Sequence, residues 1–300
     1  MSRFAGRIAV ITGAGSGIGR ALACQLAADG AVLAISDVDE IGLAETVVRA
    51  RALGARVRHD RLDVVDRDAV LAYADSVAAE FGAIHLVVNN AGVAHTGDVL
   101  DMTFGEIERV MDVNFWGVVN GTKAFLPHLI ASGDGNIVNL SSLFGLIAMP
   151  GQAAYNASKF AVRGFTEALR IEMLIAKQPV KVTAVHPGGI KTSIARNGTA
   201  TGALDAGLLA DFFDAKLARM EPAKAAAIIL RAAAAGRPRI LVGVDAWVLH
   251  LVGIVAGAGY ERLFARAAKR VMPSGKRPPA RAFPLNAPDA TGRSESEASA

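Results

Sequence analysis

The sequence predicts an α/β fold: a doubly wound parallel sheet with helices on both faces, in a single domain followed by a C-terminal extension. Three observations carry that expectation. Short β-branched runs alternate with alanine- and leucine-rich stretches of helical length from residue 7 to about residue 242, and strand–helix units joined by short loops build parallel sheets. A glycine-rich turn, TGAGSGIG at residues 12–19, joins the first strand to the first helix. An acid, Asp37, closes the second strand about twenty residues further on.

Residues 7–12 (RIAVIT) read as the first strand, 18–28 as a helix and 31–36 (AVLAIS) as the second strand, which completes one Rossmann-like βαβ unit. In such a turn Gly13, Gly17 and Gly19 let the backbone approach a pyrophosphate. Ser16 and Ile18, at the start of the helix, lie where unpaired amides and the positive end of the helix dipole favour an anion. A glycine pattern alone is weak. Between a strand and a helix, with an acid placed for the ribose hydroxyls, it points to a dinucleotide. Asp37 would repel a ribose 2′-phosphate and Ser16 brings no cation to attract one, so NAD is favoured over NADP. The alternative for Asp37 is a solvated turn residue ahead of Asp39 and Glu40.

The alternation continues with helix 40–53, strand 56–61, helix 67–81 and strand 84–89. Asp63 and Val64 follow the third strand at the carboxyl edge, where such sheets bind ligands. Asp63 there either receives an adenine amino group or caps a helix. Asn90, Ala91 and Gly92 end the fourth strand and are compact enough for a cofactor to approach; a polar turn is the alternative. Residues 104–130 read as one helix, with Asn114 in an apolar neighbourhood where a buried amide needs partners. Strand 136–140 delivers Ser141 and Ser142 to the same edge. Helix 153–176, strand 180–186, the turn at 187–192, helix 222–235 and strand 239–243 complete the pattern.

On the helix that starts near residue 153, Tyr155 and Lys159 are four residues apart and share a face. An ammonium beside a phenol favours phenolate, so Tyr155 is expected to titrate below its usual value of about 10. It could then exchange a proton with an alcohol or carbonyl oxygen. Such pairs are common on surface helices, and this one gains meaning from Ser142 and the glycine turn at the same edge. No histidine is placed by a motif to activate Ser142, which disfavours hydrolysis.

Taken together, TGAGSGIG, Asp37, NNAG, Asn114, Ser142, YNASK at 155–159 and PGGIKT at 187–192 resemble the motif set of the classical short-chain dehydrogenases/reductases. The resemblance spans about residues 7–242 and implies seven parallel strands and a tetrad of Asn114, Ser142, Tyr155 and Lys159. It implies hydride transfer between a nicotinamide and a carbonyl or carbinol carbon, with Tyr155 exchanging the proton and Ser142 orienting the substrate oxygen. Lys159 would lower the tyrosine pKa and bind the nicotinamide ribose, and Asn114 would hold a water of a proton relay. Pro187, Gly188, Ile190 and Thr192 would lie against the nicotinamide amide side. A homodimer or homotetramer packed through the Asn114 and Tyr155 helices is also implied.

Leu143, Phe144, Leu146, Ile147 and Met149 flank Ser142 with few charges among them, so an apolar substrate is expected: a long-chain, aromatic or steroid-like secondary alcohol or ketone. His95 follows NNAG and is a further pocket candidate, with a surface-loop histidine as the alternative. Residues 193–220 lose the regular alternation and read as a mobile substrate lid. In the extension, residues 244–270, the uncharged part 246–260 would span about 22 Å as a helix against about 30 Å for a bilayer, so a membrane-spanning role is not expected. Two readings stay open: packing on the pocket or a subunit interface, or peripheral membrane contact, with Arg262, Arg266, Lys269 and Arg270 meeting anionic lipid. Residues 271–300, rich in Pro, Ser, Gly and charge, are expected to be disordered.

Composition narrows the remaining classes. The net charge is +4, and eight basic against four acidic residues within 261–300 account for all of it. The body is therefore near neutral, which disfavours a nucleic-acid partner. A single cysteine, Cys24, and an N-terminal apolar run too short for a secretory leader suit the cytoplasm. The six histidines lack metal-site spacing, and His186 reads as the end of a strand. Two alternatives remain: a β-ketoacyl thioester reductase, which would normally use NADP and is disfavoured by Asp37, and a non-catalytic nucleotide-sensing or scaffold protein.

Overall fold

The computed structural model describes residues 3–194, 196–202 and 219–271. Strand β1 (Ile8–Thr12) is buried at every position and leads through the glycine turn into α1 (Gly17–Ala28). Next come β2 (Val32–Asp37), α2 (Glu40–Ala52), β3 (Val57–Arg61), α3 (Arg67–Phe81), β4 (Leu86–Asn89), a short β5 (His95–Thr96) and α4 (Phe104–Met111). A π-helical turn, Asp112–Trp116, joins α4 to α5 (Gly117–Ala131). Then follow β6 (Gly135–Leu140), α6 (Ala153–Ile175), β7 (Val180–Pro187), β8 (Thr199–Ala200), α7 (Pro222–Ala234) and β9 (Arg239–Val242). The extension supplies α8 (Val244–Ala256) and α9 (Tyr260–Val271).

Seven strands pair in the order β3-β2-β1-β4-β6-β7-β9, every pair parallel. Side chains alternate across the pleat. Ala9 and Ile11 therefore pack with α1, α2 and α7 on one face, while Val10 packs with α3, α5 and α6 on the other. Covered on both faces, the central strands need the near-continuous apolar runs seen in the sequence. β3 is an edge strand and carries Arg58, Asp60 and Arg61. The strand order reverses between β1 and β4, which opens a crevice at their carboxyl ends.

The structure departs from the sequence reading in three places. Residues 104–130 do not form one regular helix, because the π turn widens the backbone around Asn114. The region expected as a lid contains β8, which pairs with β5 in a small second sheet; residues 203–218 lie outside the described residues, as do 272–300 of the expected tail. The extension is also longer than its uncharged part suggested. Val244–Arg266 is a 23-residue stretch long and apolar enough to cross a membrane by length and composition, although the α-helix breaks at Gly257 between α8 and α9. The reason is that charged residues at either end, Asp245 and Glu261 with Arg262, are also helical.

Candidate active site

The crevice begins at the glycine turn. Ser16 stands at the N-cap of α1 without making a side-chain cap bond, so first-turn amides of α1 remain available to an anion. A Cβ at Gly13 would lie 2.7 Å from Ala91 Cα, and one at Gly19 would lie 2.1 Å from the Gly13 carbonyl oxygen. Asn90 fastens the floor: its Nδ2 donates to the Thr12 and Gly13 carbonyls at 3.0 and 2.9 Å, and its backbone N–H reaches Thr12 Oγ1 at 3.1 Å. Asp37 accepts from the Gly15 N–H at 2.7 Å and the Asp39 N–H at 3.0 Å, so its carboxylate holds the turn in shape while placing negative charge at its far end. Asp63 accepts from the Val65 N–H at 3.0 Å; the cap of α3 is Asp66 instead. Val64 is buried beside Gly117, and its carbonyl accepts from Asn120 at 2.9 Å. Opposite the glycine turn, Ser193 Oγ lies 2.8 Å from Ser16 Oγ, and Thr192 faces Gly17. Ile18 packs, half-buried, against the α1 side of the core, and Ile190 is buried in it.

The tetrad residues come from three elements and meet at one place. Ser142 caps the short 3-10 turn Leu143–Gly145 by accepting the Phe144 N–H at 3.1 Å, and its hydroxyl is the polar group beside that of Tyr155. Lys159 is buried, with Nζ 5.5 Å from the centre of the Tyr155 ring and donating to the Leu140 carbonyl at 3.0 Å. A Cβ at Gly92 would sit 3.1 Å from Asn114 Oδ1 and 3.5 Å from Lys159 Nζ, so NNAG, Asn114 and Lys159 line one niche. The Asn114 amide is fully enclosed and satisfied: Oδ1 accepts the Val93 N–H at 2.8 Å, and Nδ2 donates to the Val93 carbonyl and to Ser158 Oγ. The π turn lets it reach those partners.

One electrostatic expectation is corrected. Tyr155 is half-buried, and burial pushes its hydroxyl above its ordinary value, with the neighbouring Ser142 hydroxyl drawing it partly back. The Lys159 ammonium lies beside the ring but donates to the Leu140 carbonyl, and burial brings Lys159 itself down to about 8. Burial thus shifts both groups toward their neutral forms, while Lys159 at about 8 keeps its charge at neutral pH.

Two residues that sequence reasoning missed hold the site from behind. His186 is enclosed at the end of β7, 2.9 Å from the Ser142 carbonyl. A carbonyl only accepts, so Nδ1 carries the proton, and Nε2 is left without a partner. Asp245, in the first turn of α8, accepts the Gly189 N–H at 2.6 Å and fills the space beside Gly188, which ties the extension to the turn after Pro187. No local pattern signals either contact, since the partners are 44 and 56 residues away.

Burial holds His186 at about 4, against an ordinary 6.5. Unfolding restores the ordinary value, so the unfolded chain takes up a proton in the window between those two values. Stability is therefore full above the unfolded pKa and falls as pH drops through that window, by about 2 kcal/mol from pH 7 to pH 5. Urea unfolding at the two pH values should show that loss, and His186→Gln should reduce it by that amount; an equal pH slope in the variant removes the assignment.

Beside Ser142 the wall is apolar. Leu143 and Ile147 are buried against Leu241 and Ala246, with Phe144, Leu146, Leu249, Tyr260 and Phe264 packed around them. Phe144 meets the Tyr155 ring edge-on at 6.3 Å and 88°. Met149 is partly open, and its carbonyl accepts from Asn156 at 3.0 Å. His95 sits elsewhere: it is 3% exposed, bonded to Thr199 Oγ1 at 2.8 Å, and its Nε2 lies 3.8 Å from Glu106, so it belongs to the β5–β8 annex. Among the described residues no cluster of His, Cys, Asp or Glu is placed to hold a metal.

Comparison with known proteins agrees with this geometry. The family model described as short chain dehydrogenase matches residues 7–202. SadH of Mycobacterium tuberculosis H37Rv, named as an oxidoreductase, is 59% identical over 276 residues, 92% of this chain and 100% of that protein. Human epidermal retinol dehydrogenase 2 is 42% identical over 192 residues, 63% of this chain and 62% of that protein. A short chain dehydrogenase/reductase from Burkholderia phymatum, solved in complex with NAD, superposes with a TM-score of 0.80 at 32% identity, covering 85% of this chain and 95% of that one. Crevice, tetrad and relatives agree: the chain belongs to the short-chain dehydrogenase/reductase family of NAD(P)-binding oxidoreductases.

Proposed function

We propose that the protein is an NAD-linked oxidoreductase of hydrophobic secondary alcohols and ketones, with long-chain, aromatic or steroid-like groups. The observation that carries this reading is the Ser142–Tyr155 hydroxyl pair, with the glycine cradle on one side and the wall of Leu143, Phe144 and Ile147 on the other. The residues fit a dinucleotide: Gly13 and Gly19 let the turn pack against Ala91 and Asn90 where no Cβ has room, which shapes the cradle, and the start of α1 offers amides. Gly13, Ser16, Gly17 and Gly19 would hold the pyrophosphate, Asp37 the adenosine ribose, and Lys159 with the turn from Pro187 to Thr192 the nicotinamide half. When bound, the nicotinamide accepts or supplies the hydride.

The chain's own part is proton transfer and exclusion of water. Tyr155 gives or takes the proton at the substrate oxygen, and its raised pKa makes it the acid in the reducing direction near neutral pH. Ser142 holds that oxygen, itself fixed by His186 and the Phe144 N–H. Asp37 supports NAD, since a 2′-phosphate would meet a carboxylate already committed to two backbone N–H groups. The retinol dehydrogenase named among the relatives supports a lipophilic substrate class.

Initial rates with NAD and NADP over a series of hydrophobic secondary alcohols test this. NAD is expected to give a kcat/KM at least about tenfold above NADP, a difference of 1.4 kcal/mol; small charged hydroxy acids turned over equally well would overturn the substrate class. Assembly as a homodimer or tetramer through the Asn114 and Tyr155 helices belongs to the same proposal. Trp116, Phe160, Ile171, Leu174 and Ile175 support it, standing 40–77% exposed there. A monomer mass by light scattering at assay concentration would remove it.

A further inference from the structure

We infer that α8 and α9 form an interfacial docking surface for an anionic lipid bilayer. Val244, Trp247, Val248, Leu251, Ile254 and Val255 recur at helical spacing along one face of α8, and each is 53–79% exposed. A surface helix normally turns such a stripe inward. Here it faces outward, and a contiguous apolar patch of that kind marks a contact surface.

Turning the helix over cannot hide the stripe, because the opposite face is already committed. Ala246 is buried, and a Cβ at Gly253 would come within 2.8 Å of Ile147 Cγ2. Asp245 accepts the Gly189 N–H at 2.6 Å, and past the end of α8 the Tyr260 hydroxyl accepts the Ala148 N–H at 2.9 Å. These ties also decide how the helix meets lipid. The 23 residues from Val244 to Arg266, across α8 and into α9, have the length to cross a bilayer, but crossing would break both hydrogen bonds and strip the cover from Leu143 and Ile147. The helix therefore lies in the plane of the interface.

Charge selects the partner. Arg262 and Arg266 are exposed on α9, Lys269 and Arg270 follow in sequence, and the whole positive excess of the chain lies within 261–300. An apolar stripe joined to a basic helix is the composition of an interfacial anchor, and each cation adds attraction to an anionic headgroup layer. A second copy seated on the stripe would instead bring two basic segments together. Docked in this way, the outer face of α8 enters the lipid while Leu249 on its inner face reaches the apolar wall beside Ser142.

Flotation of the full chain with vesicles of phosphatidylcholine alone, or mixed with phosphatidylglycerol, tests the inference. Binding to the mixed vesicles should exceed binding to the neutral ones about tenfold and weaken with added salt. In a Trp116→Phe background, Trp247 emission should shift to the blue on binding. The double variant Leu251→Glu with Ile254→Glu should partition about tenfold less, with an unchanged melting temperature, since both side chains are exposed. Equal partitioning of variant and wild type overturns the inference. So does failure of the wild type to bind, whether the variant changes the mass by light scattering, which would reveal a second copy on the stripe, or leaves it unchanged, which would reveal cover from the chain itself. Equal binding to neutral and mixed vesicles overturns the role given to charge.

Discussion

Tyr155→Phe should lower kcat by about a thousandfold, within the range that a positioned acid–base group supplies, and leave NADH affinity within about twofold of wild type. The ring is retained, so its edge-on contact with Phe144 and its packing near Met102, Val110 and Ala154 survive. Only the hydroxyl is lost, with its interaction with Ser142. Ser142 keeps the Phe144 N–H as a partner, and Lys159 keeps the Leu140 carbonyl, so neither is left buried and unsatisfied. The melting temperature should therefore hardly move, and NADH titration by fluorescence beside steady-state rates separates binding from chemistry. Turnover within about tenfold of wild type would show that another group carries the proton. The pH profile gives a second readout. Burial raises Tyr155, so the oxidising direction, which needs the phenolate, should gain rate as pH rises, and the variant should lose that dependence.

The parts of this site that were legible in the sequence are those fixed by local chemistry. Parallel strands covered on both faces must be apolar throughout, so β1, β4 and β6 stood out as runs, and the glycines between β1 and α1 had no ordinary helical reason to cluster. Tyr155 and Lys159 were visible as an i,i+4 pair, while the tetrad as a set came from resemblance. What stayed hidden depends on partners distant in sequence. The π turn at Asn114 exists because Val93, 21 residues away, offers both an N–H and a carbonyl to the amide. Ser142 is held by His186, and Gly189 by Asp245, across still longer separations. The direction of the Tyr155 shift differs because the spacing placed an ammonium nearby but did not reveal the burial around Tyr155 or that Lys159 donates to the Leu140 carbonyl. The apolar stripe of α8 was hidden for a different reason: periodicity shows that one face is apolar, not whether that face turns toward the core.

Gly19→Ala should abolish NADH binding at micromolar concentration and lower the melting temperature by about 5 °C, the scale expected of an overpacked core position. The added Cβ would lie 2.1 Å from the Gly13 carbonyl oxygen, 2.6 Å from Asn90 Nδ2 and 2.9 Å from the Gly13 carbonyl carbon. Two of those three atoms are backbone and cannot rotate away, so either α1 moves off β1 or the turn opens. Opening the turn breaks the Asn90 donation to the Thr12 and Gly13 carbonyls and moves Gly15 off Asp37. Moving α1 displaces Leu22 and Leu26, both fully buried, from the core they share with Ile11 and Ile35. Either response deforms the cradle together with the fold, so loss of binding and loss of stability should appear in the same variant. Gly105→Ala is the matched control: a Cβ there meets nothing within 4 Å, and it lies in α4. Alanine should stabilise that helix by up to about 1 kcal/mol and leave NADH binding unchanged. A Gly19→Ala protein that melts with wild type and still binds NADH within about threefold would show that the turn has room for a methyl group, and that the close approach of α1 to β1 is not what shapes the cradle.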